Sequence, residues 1–348
     1  MEIQENIPLA PLTTLGIGGS ARFFVRAASA DDAAEAAQFA ERQSLPLFVL
    51  GGGSNVLIAD RGWPGLVLGI GIRGIEQESS GSTTLFRVGA GENWDAWVEH
   101  SVERSCAGVE CLSGIPGSVG GTPIQNVGAY GQEVAETIVS VFAFDRRQKR
   151  ACDLSNADCG FSYRSSIFNT AGRDRYIILG VRFALRAGGA PRLRYRDLER
   201  YFAGRDSPAT PSEVRNAVRK IRALKGMLIA PGDPDSRSAG SFFRNPVLTA
   251  EQHEDLLRRA AERRLEAPHY PALSRQRKVS AAWLIENSGF GKGYRRGNAG
   301  ISSKHALALI NRGAATAAEI VGLQEEIQQR VEAQWAIRLE PEPVFVGF

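Results

Sequence analysis

No run of apolar residues in this chain approaches the ~18 that a membrane-crossing helix needs. The N-terminus, Met1-Glu-Ile-Gln-Glu-Asn, carries two acids and lacks the apolar core of a secretory signal, so a cytoplasmic protein without membrane insertion is expected. Cysteine and histidine are scarce. Cys106, Cys111, Cys152 and Cys159 form no C-x-x-C pair, and His100, His253, His269 and His305 add no ligand spacing. No metal site is expected, and the cysteines read as reduced thiols of a cytosolic protein. Blocks of like charge are missing as well. Lys and Arg total 42 against 38 Asp and Glu, and the basic residues are scattered rather than set along a stripe. No nucleic-acid partner is expected, whereas mild basicity suits an acidic small molecule.

What is abundant is glycine. The chain has 38 in 348 residues, where average usage of ~7% gives about 24. The length predicts about two domains. Helices are expected over 29–43, opened by a Ser29/Asp32 capping box, and over 92–105, with Trp94, Trp97 and Val98 on the apolar side. Strands are expected over 47–50, 66–68, 137–144 and 176–185. Gly and Pro cluster over 186–212, which reads as a boundary. Thr210-Pro-Ser-Glu213 then opens a helix ending at Gly226, with Val214, Val218 and Ile221 as its stripe and Arg215, Arg219, Arg222 and Lys225 on other faces. Further helices are expected over 249–265, 280–287, 302–311 and 316–331, and a strand-like tail over 336–346. There is no fixed-period repeat. The mix is α+β rather than a regular β-α-β alternation.

Two segments match the dinucleotide pattern G-x-G-x-x-G/A, Gly16 to Ala21 and Gly69 to Gly74. Neither sits between a strand and a helix, and the pattern works only where a helix N-terminus meets the pyrophosphate. Gly51-Gly-Gly-Ser-Asn55 differs. Gly51, Gly52 and Gly53 remove every Cβ, so the backbone can curl into a nest of N–H groups for phosphate, with Ser54 and Asn55 adding donors. A tight turn after a buried strand accounts for the same residues. The second loop, 114–131, is long and poor in charge, and carries Ser118, Gln125, Asn126 and Tyr130. Such a loop can lie against a large flat ligand.

Gly51-Gly-Gly-Ser-Asn-Val-Leu57 together with Pro123-Ile-Gln-Asn-Val-Gly-Ala-Tyr-Gly131 closely resembles the UDP-N-acetylenolpyruvoylglucosamine reductase family of bacterial cell-wall synthesis. The resemblance continues through Tyr163-Arg-Ser-Ser-Ile-Phe168, Gly240-Ser-Phe-Phe-Arg-Asn-Pro246, Val279-Ser-Ala-Ala-Trp-Leu-Ile285 and Leu339-Glu-Pro-Glu342, in order, over 13–347. It implies a vanillyl-alcohol-oxidase/PCMH-type FAD-binding domain over 1–205, of two α+β subdomains split near 70. A smaller α+β substrate domain over 206–348 follows, its last strand returning to the active site. It also implies non-covalent FAD, NADPH as hydride donor, and UDP-N-acetylglucosamine enolpyruvate as substrate. A monomer is expected.

By the same resemblance, FAD is held by Gly51, Gly52, Gly53, Ser54, Asn55, Val56, Pro116, Gly117, Ser118, Gly121, Gln125, Asn126, Gly128, Ala129 and Tyr130. Gly52 and Gly53 are expected to let the backbone approach the pyrophosphate. The nucleotide sugar is met by Tyr163, Tyr195, Lys225, Asn245, Tyr270 and Lys278. The implied reaction reduces an enolpyruvyl ether, so it needs a hydride donor, a cation or acid at the carboxylate, and a proton donor. The resemblance assigns these last roles to Arg164, Ser241 and Glu342. Taken alone, Arg164 reads rather as a surface arginine, Ser241 as a turn serine and Glu342 as a solvated strand edge. Alternation in the tail places Glu340 and Glu342 on one face, opposite Ile337 and Leu339. An FAD oxidase of the same fold, or a non-catalytic flavin- or nucleotide-sugar-binding protein, are the alternatives.

Overall fold

The computed structural model describes residues 1–205, 207–271 and 276–348, with the backbone alone at 269–271. It divides into two units. The first comprises Met1–Pro8, Ser20–Gly53 and Trp63–Leu224, and the second Leu9–Gly19, Ser54–Gly62 and Lys225–Phe348. The chain therefore passes from one unit to the other within both of its early glycine-rich stretches.

In the first unit, four strands lie in the order Gln4–Pro8, Ser20–Ala27, Trp63–Ile70, Leu47–Leu50. The outer pair is antiparallel and the others are parallel. Helix Ala30–Arg42 covers this sheet with Ala33, Ala36, Ala37 and Ala40, a one-sided spacing of small residues. Its Ser29/Asp32 capping box forms as expected. An antiparallel sheet follows, ordered Arg150–Ser155, Ile138–Asp145, Tyr176–Ala187, Thr83–Gly89, Ile75–Ser80, with Cys106–Ala107 beside the central strand. The chain changes from the first sheet to the second between 70 and 75. Helix Trp94–Glu103 buries Trp94 and Trp97, and Trp97 stacks on Phe183 at 4.2 Å.

Helix Pro211–Leu224, just beyond the stretch 186–212 rich in Gly and Pro, belongs to the first unit. Val214, Ala217 and Val218 pack with Cys111, Tyr130 and Leu198. Arg215 and Arg222 are also buried, a departure from the expectation that the helix's arginines lie on other faces.

The second unit is built on helix Ala317–Trp335, which buries Ile320, Leu323, Ile327, Val331 and Trp335. Thr316 and Glu319 form its capping box, and the Asp60 carboxylate accepts from the N–H groups of Ala317 (2.7 Å) and Ala318 (3.1 Å). Asn311 ties in the other inserted segment by donating to the Leu15 carbonyl at 3.1 Å. The helices expected near 249–265 and 280–287 are found as Ala250–Glu262 and Ala281–Glu286.

The helix expected over 302–311 is absent. Leu309–Asn311 is a strand, paired with Ala299–Ile301. Ser302 does receive the Lys304 and His305 N–H groups, as a helix cap would, but only a turn follows. Pairing with a buried neighbouring strand overrides the helical propensity of Ala and Leu there. In the tail, burial alternates from Ile337 to Glu340, yet regular strand is confined to Val344–Val346, parallel to Val56–Ile58. Among the described residues no helix is long and apolar enough to cross a membrane.

Candidate active site

Strand Leu47–Leu50 delivers the chain of the first unit into three glycines, each needed for its own reason. Gly53 lies at φ +64°, a left-handed conformation that a side chain would strain. A Cβ on Gly52 would fall 2.5 Å from the Gly117 Cα, so two backbones touch with no room for a methyl group. On its Cβ side Gly52 therefore packs against the loop 114–131. A Cβ on Gly51 would stand 2.9 Å from the Ser118 Oγ. That hydroxyl is buried and finds no hydrogen-bond partner among the described residues. An unsatisfied buried polar group costs about 1–3 kcal/mol, and this one faces a glycine turn of phosphate-binding type. The residues present fit a dinucleotide's pyrophosphate.

Within the same loop, Pro116 and Gly117 precede Ser118, and Gly121 closes a single 3-10 turn, Val119–Gly121. Gly128–Ala129 pairs with Gln132–Glu133 around Tyr130 in a small hairpin, and Gln125 is half-buried. Asn126 departs from the expectation of an amide offered to a ligand. It is buried, donates to Glu133 Oε2 (2.7 Å) and the Ser162 carbonyl (3.1 Å), and accepts from the Ala135 N–H (3.1 Å). Its side chain organises the loop, because both of its N–H donors are engaged by the protein.

Arg164 lies at φ +54° in the tight turn between Ser162 and Ser165, whose backbones exchange hydrogen bonds of 3.0 and 3.1 Å. Its Nη2 donates to the Gly128 carbonyl at 2.8 Å, and its guanidinium stands 5.3 Å from the centre of the Tyr163 ring. The first unit thus brings Arg164 to the glycine-rich loop. Tyr195 immediately precedes the short helix Arg196–Tyr201, and its ring meets the Tyr130 ring edge-on at 5.3 Å.

In the second unit, Ser54 leads to Asn55 and the strand Val56–Ile58. The Glu342 N–H donates to the Phe242 carbonyl at 2.8 Å, and Phe243 bridges Pro341. Beyond that bridge the tail changes partner: Val344 N–H donates to the Asn55 carbonyl at 2.9 Å, and Asn55 Nδ2 donates to the Glu342 carbonyl at 3.3 Å. Glu342 therefore sits where the tail passes from the Ser241 segment to the Asn55 segment, one register position from Ser241. Ser241 is half-buried beside the buried Phe242 and Phe243. Asn245 accepts from the Ala281 N–H at 2.9 Å and so secures a helix start. Lys278 lies opposite Val247 and Tyr270 in register, and the Tyr270 side chain lies outside the described residues.

His305 is pushed down to about 4, first by burial and then by Lys225 and Lys292. Its unfolded value is near 6.5, so the folded protein resists protonation between the two. Its contribution to stability is complete above about pH 6.5 and is lost as pH falls towards about 4. The loss reaches at most about 3 kcal/mol. His305→Gln is expected to flatten that acid limb in denaturant melts taken from pH 7 to 4. An unchanged limb would remove His305 as its cause.

Sequence reading missed Asp95, which holds Arg215 at 2.5 Å and also Arg219. It also missed the fully buried Glu110, which accepts from Gln132 Nε2 at 3.0 Å and the Gly108 N–H at 2.6 Å. The spacing of the arginines, i, i+4 and i+7 along one face, was the available signal.

Residues 21–147 match a model described as FAD binding domain, and residues 233–346 match UDP-N-acetylenolpyruvoylglucosamine reductase, C-terminal domain. The chain is 45% identical to UDP-N-acetylenolpyruvoylglucosamine reductase of Thermobifida fusca, over 99% of this chain and 98% of that protein. It is 47% identical to the Salinispora arenicola protein of the same name, over 97% and 94%. The crystal structure of the reductase from Thermus caldophilus superposes with a TM-score of 0.66 at 25% identity, covering 99% of this chain and 98% of that one. With both domain models matched in order and relatives of this similarity aligned end to end, the chain belongs to the UDP-N-acetylenolpyruvoylglucosamine reductase family.

Proposed function

We infer that this chain reduces UDP-N-acetylglucosamine enolpyruvate to UDP-N-acetylmuramate for peptidoglycan synthesis, using FAD and taking hydride from NADPH. The observation that carries the reading is the pairing of the Ser241 and Glu342 segments through the Glu342 N–H to Phe242 carbonyl bond of 2.8 Å. It gives a hydroxyl and a carboxylate to one small region, next to Asn55 of the glycine motif. FAD supplies the hydride chemistry that no side chain can perform.

The protein's own residues handle charge and protons. Hydride addition to the terminal carbon drives negative charge onto the substrate carboxylate, and the neighbouring carbon must take a proton. Arg164 holds that carboxylate with a permanent charge and a forked donor set, worth on the order of 3–4 kcal/mol to the transition state. Ser241 delivers the proton, and Glu342 polarises the developing charge or relays the proton that recharges Ser241. Ser118 and the backbone of Gly51 to Gly53 would hold the pyrophosphate of FAD. Tyr163, Tyr195, Lys225, Asn245, Tyr270 and Lys278 would meet the UDP-sugar, with the two lysines at its diphosphate. The enzyme works as a monomer in the cytoplasm on this reading.

Anaerobic visible spectroscopy tests it. The purified protein should be yellow, bleach with NADPH, and recover its colour when the enolpyruvyl sugar is added. Recovery with oxygen and an alcohol substrate alone would favour an oxidase, and a colourless protein unable to take up FAD would sink the reading.

A further inference from the structure

Arg222 has no place in the chemistry above, yet it is one of the most deeply held charges in the first unit. It is 8% exposed, and a buried guanidinium is costly unless several groups hold it. Its Nε donates to the Gly114 carbonyl at 3.1 Å, and its guanidinium also hydrogen-bonds the Tyr130 side chain. From the other side, Asp95 accepts from the Gly114 N–H at 2.6 Å. Burial pushes the Asp95 carboxyl up, but Arg215, this N–H and Arg219 outweigh it, so it stays below the usual carboxylate range and charged. Gly114 is thus gripped through both its N–H and its carbonyl. Gly114 opens the glycine-rich loop and Tyr130 stands one residue before its end. A single side chain therefore joins the two ends of a loop 18 residues long that contains little secondary structure of its own.

We propose that Arg222 is a positioning residue: by bridging Gly114 to Tyr130 it fixes the mouth of the loop 114–131 in the shape that takes FAD. The proposal rests on the reading of that loop as the cofactor loop. Only the guanidinium fork can serve both ends at once. A lysine keeps the charge, but its ammonium is a point donor on a flexible stem. The bridge also reaches the substrate side of the first unit, because the Tyr130 ring meets Tyr195 edge-on at 5.3 Å.

The test is a titration of apoprotein with FAD, followed by flavin fluorescence, for wild type, Arg222→Lys, Tyr130→Phe and the double variant. Arg222→Lys should weaken FAD binding by about 10- to 100-fold and Tyr130→Phe by about 3- to 10-fold. The double variant should be no weaker than Arg222→Lys, since one contact is lost in each. Melting temperatures with and without FAD separate positioning from simple support of the fold. The rise in Tm caused by FAD should shrink in Arg222→Lys by more than the apoprotein's own Tm falls. Tyr130→Phe removes only a hydroxyl and keeps the test open if Arg222→Lys fails to fold. Unchanged FAD affinity in either variant, additive losses in the double variant, or a lower apoprotein Tm with the FAD-induced rise intact would overturn the proposal. Wild-type apoprotein that takes up no FAD would sink the cofactor reading itself, a result distinct from all of these.

Discussion

Ser241→Ala is expected to leave bleaching of the flavin by NADPH close to normal and to slow the recovery of colour with the enolpyruvyl sugar by at least ~100-fold. The two half-reactions differ in their need for a proton on carbon: only the second one needs it. Ser241 has that task in the proposed function, and its surroundings suit it. Phe242 and Phe243 are buried, which removes competing water from one side. Glu342 is fixed one register position away by the tail. General acids contribute typically 10²–10⁴-fold, and the lower end suffices for stopped-flow absorbance to resolve the two phases. Ser241→Cys should restore part of the rate, because a thiol also carries a proton. Equal slowing of both phases would mean a displaced flavin rather than a lost acid. Unimpaired recovery in Ser241→Ala would take the role from Ser241 and give it to Glu342 or to a water that it holds.

Gly52→Val should give protein with little or no bound flavin. The wild-type geometry leaves no choice about where the new atoms go, since the first of them lands 2.5 Å from Gly117 Cα and 2.6 Å from its carbonyl carbon. Both obstacles are backbone, so one loop must move away from the other. Overpacking of this kind costs typically 1–3 kcal/mol, roughly a 10- to 100-fold loss of FAD affinity if the shift falls on the binding conformation. Gly291→Ala is the matched control, because a Cβ there meets nothing within 4 Å. Fully loaded Gly52→Val with wild-type affinity would show that contact between the two glycine loops is not what shapes the phosphate site.

How much of this could be read without coordinates depended on how local the cause was. The Ser29/Asp32 and Thr316/Glu319 capping boxes are complete within four residues, and both helices start where those residues say. Trp94, Trp97 and Val98 announced their buried face by spacing alone. The helix expected over 302–311 fails for a non-local reason: Ser302 makes capping bonds, whereas the strand pairing that stops a helix from following is supplied by Ala299–Ile301. The catalytic candidates carried even less local signal. Arg164, Ser241 and Glu342 are ordinary residues in their own neighbourhoods, and the pattern across the whole chain singled them out. Asp95 and Arg222 escaped even that, because a charge buried for support looks in sequence like any charge on a helix.

The parallel pairing of Val56–Ile58 with Val344–Val346 bears on how the protein is made. Leu57 and Ile58 are almost completely buried in the finished unit, yet they leave the ribosome roughly 290 residues before the strand that covers them. At translation rates of about 5–20 residues per second, the wait is roughly 15–60 s. The Asp60 carboxylate waits nearly as long for the helix it caps. For that interval the nascent chain carries an unpartnered apolar strand, the kind of edge that recruits other strands or a chaperone. A message that ends only a few codons early would make that state permanent.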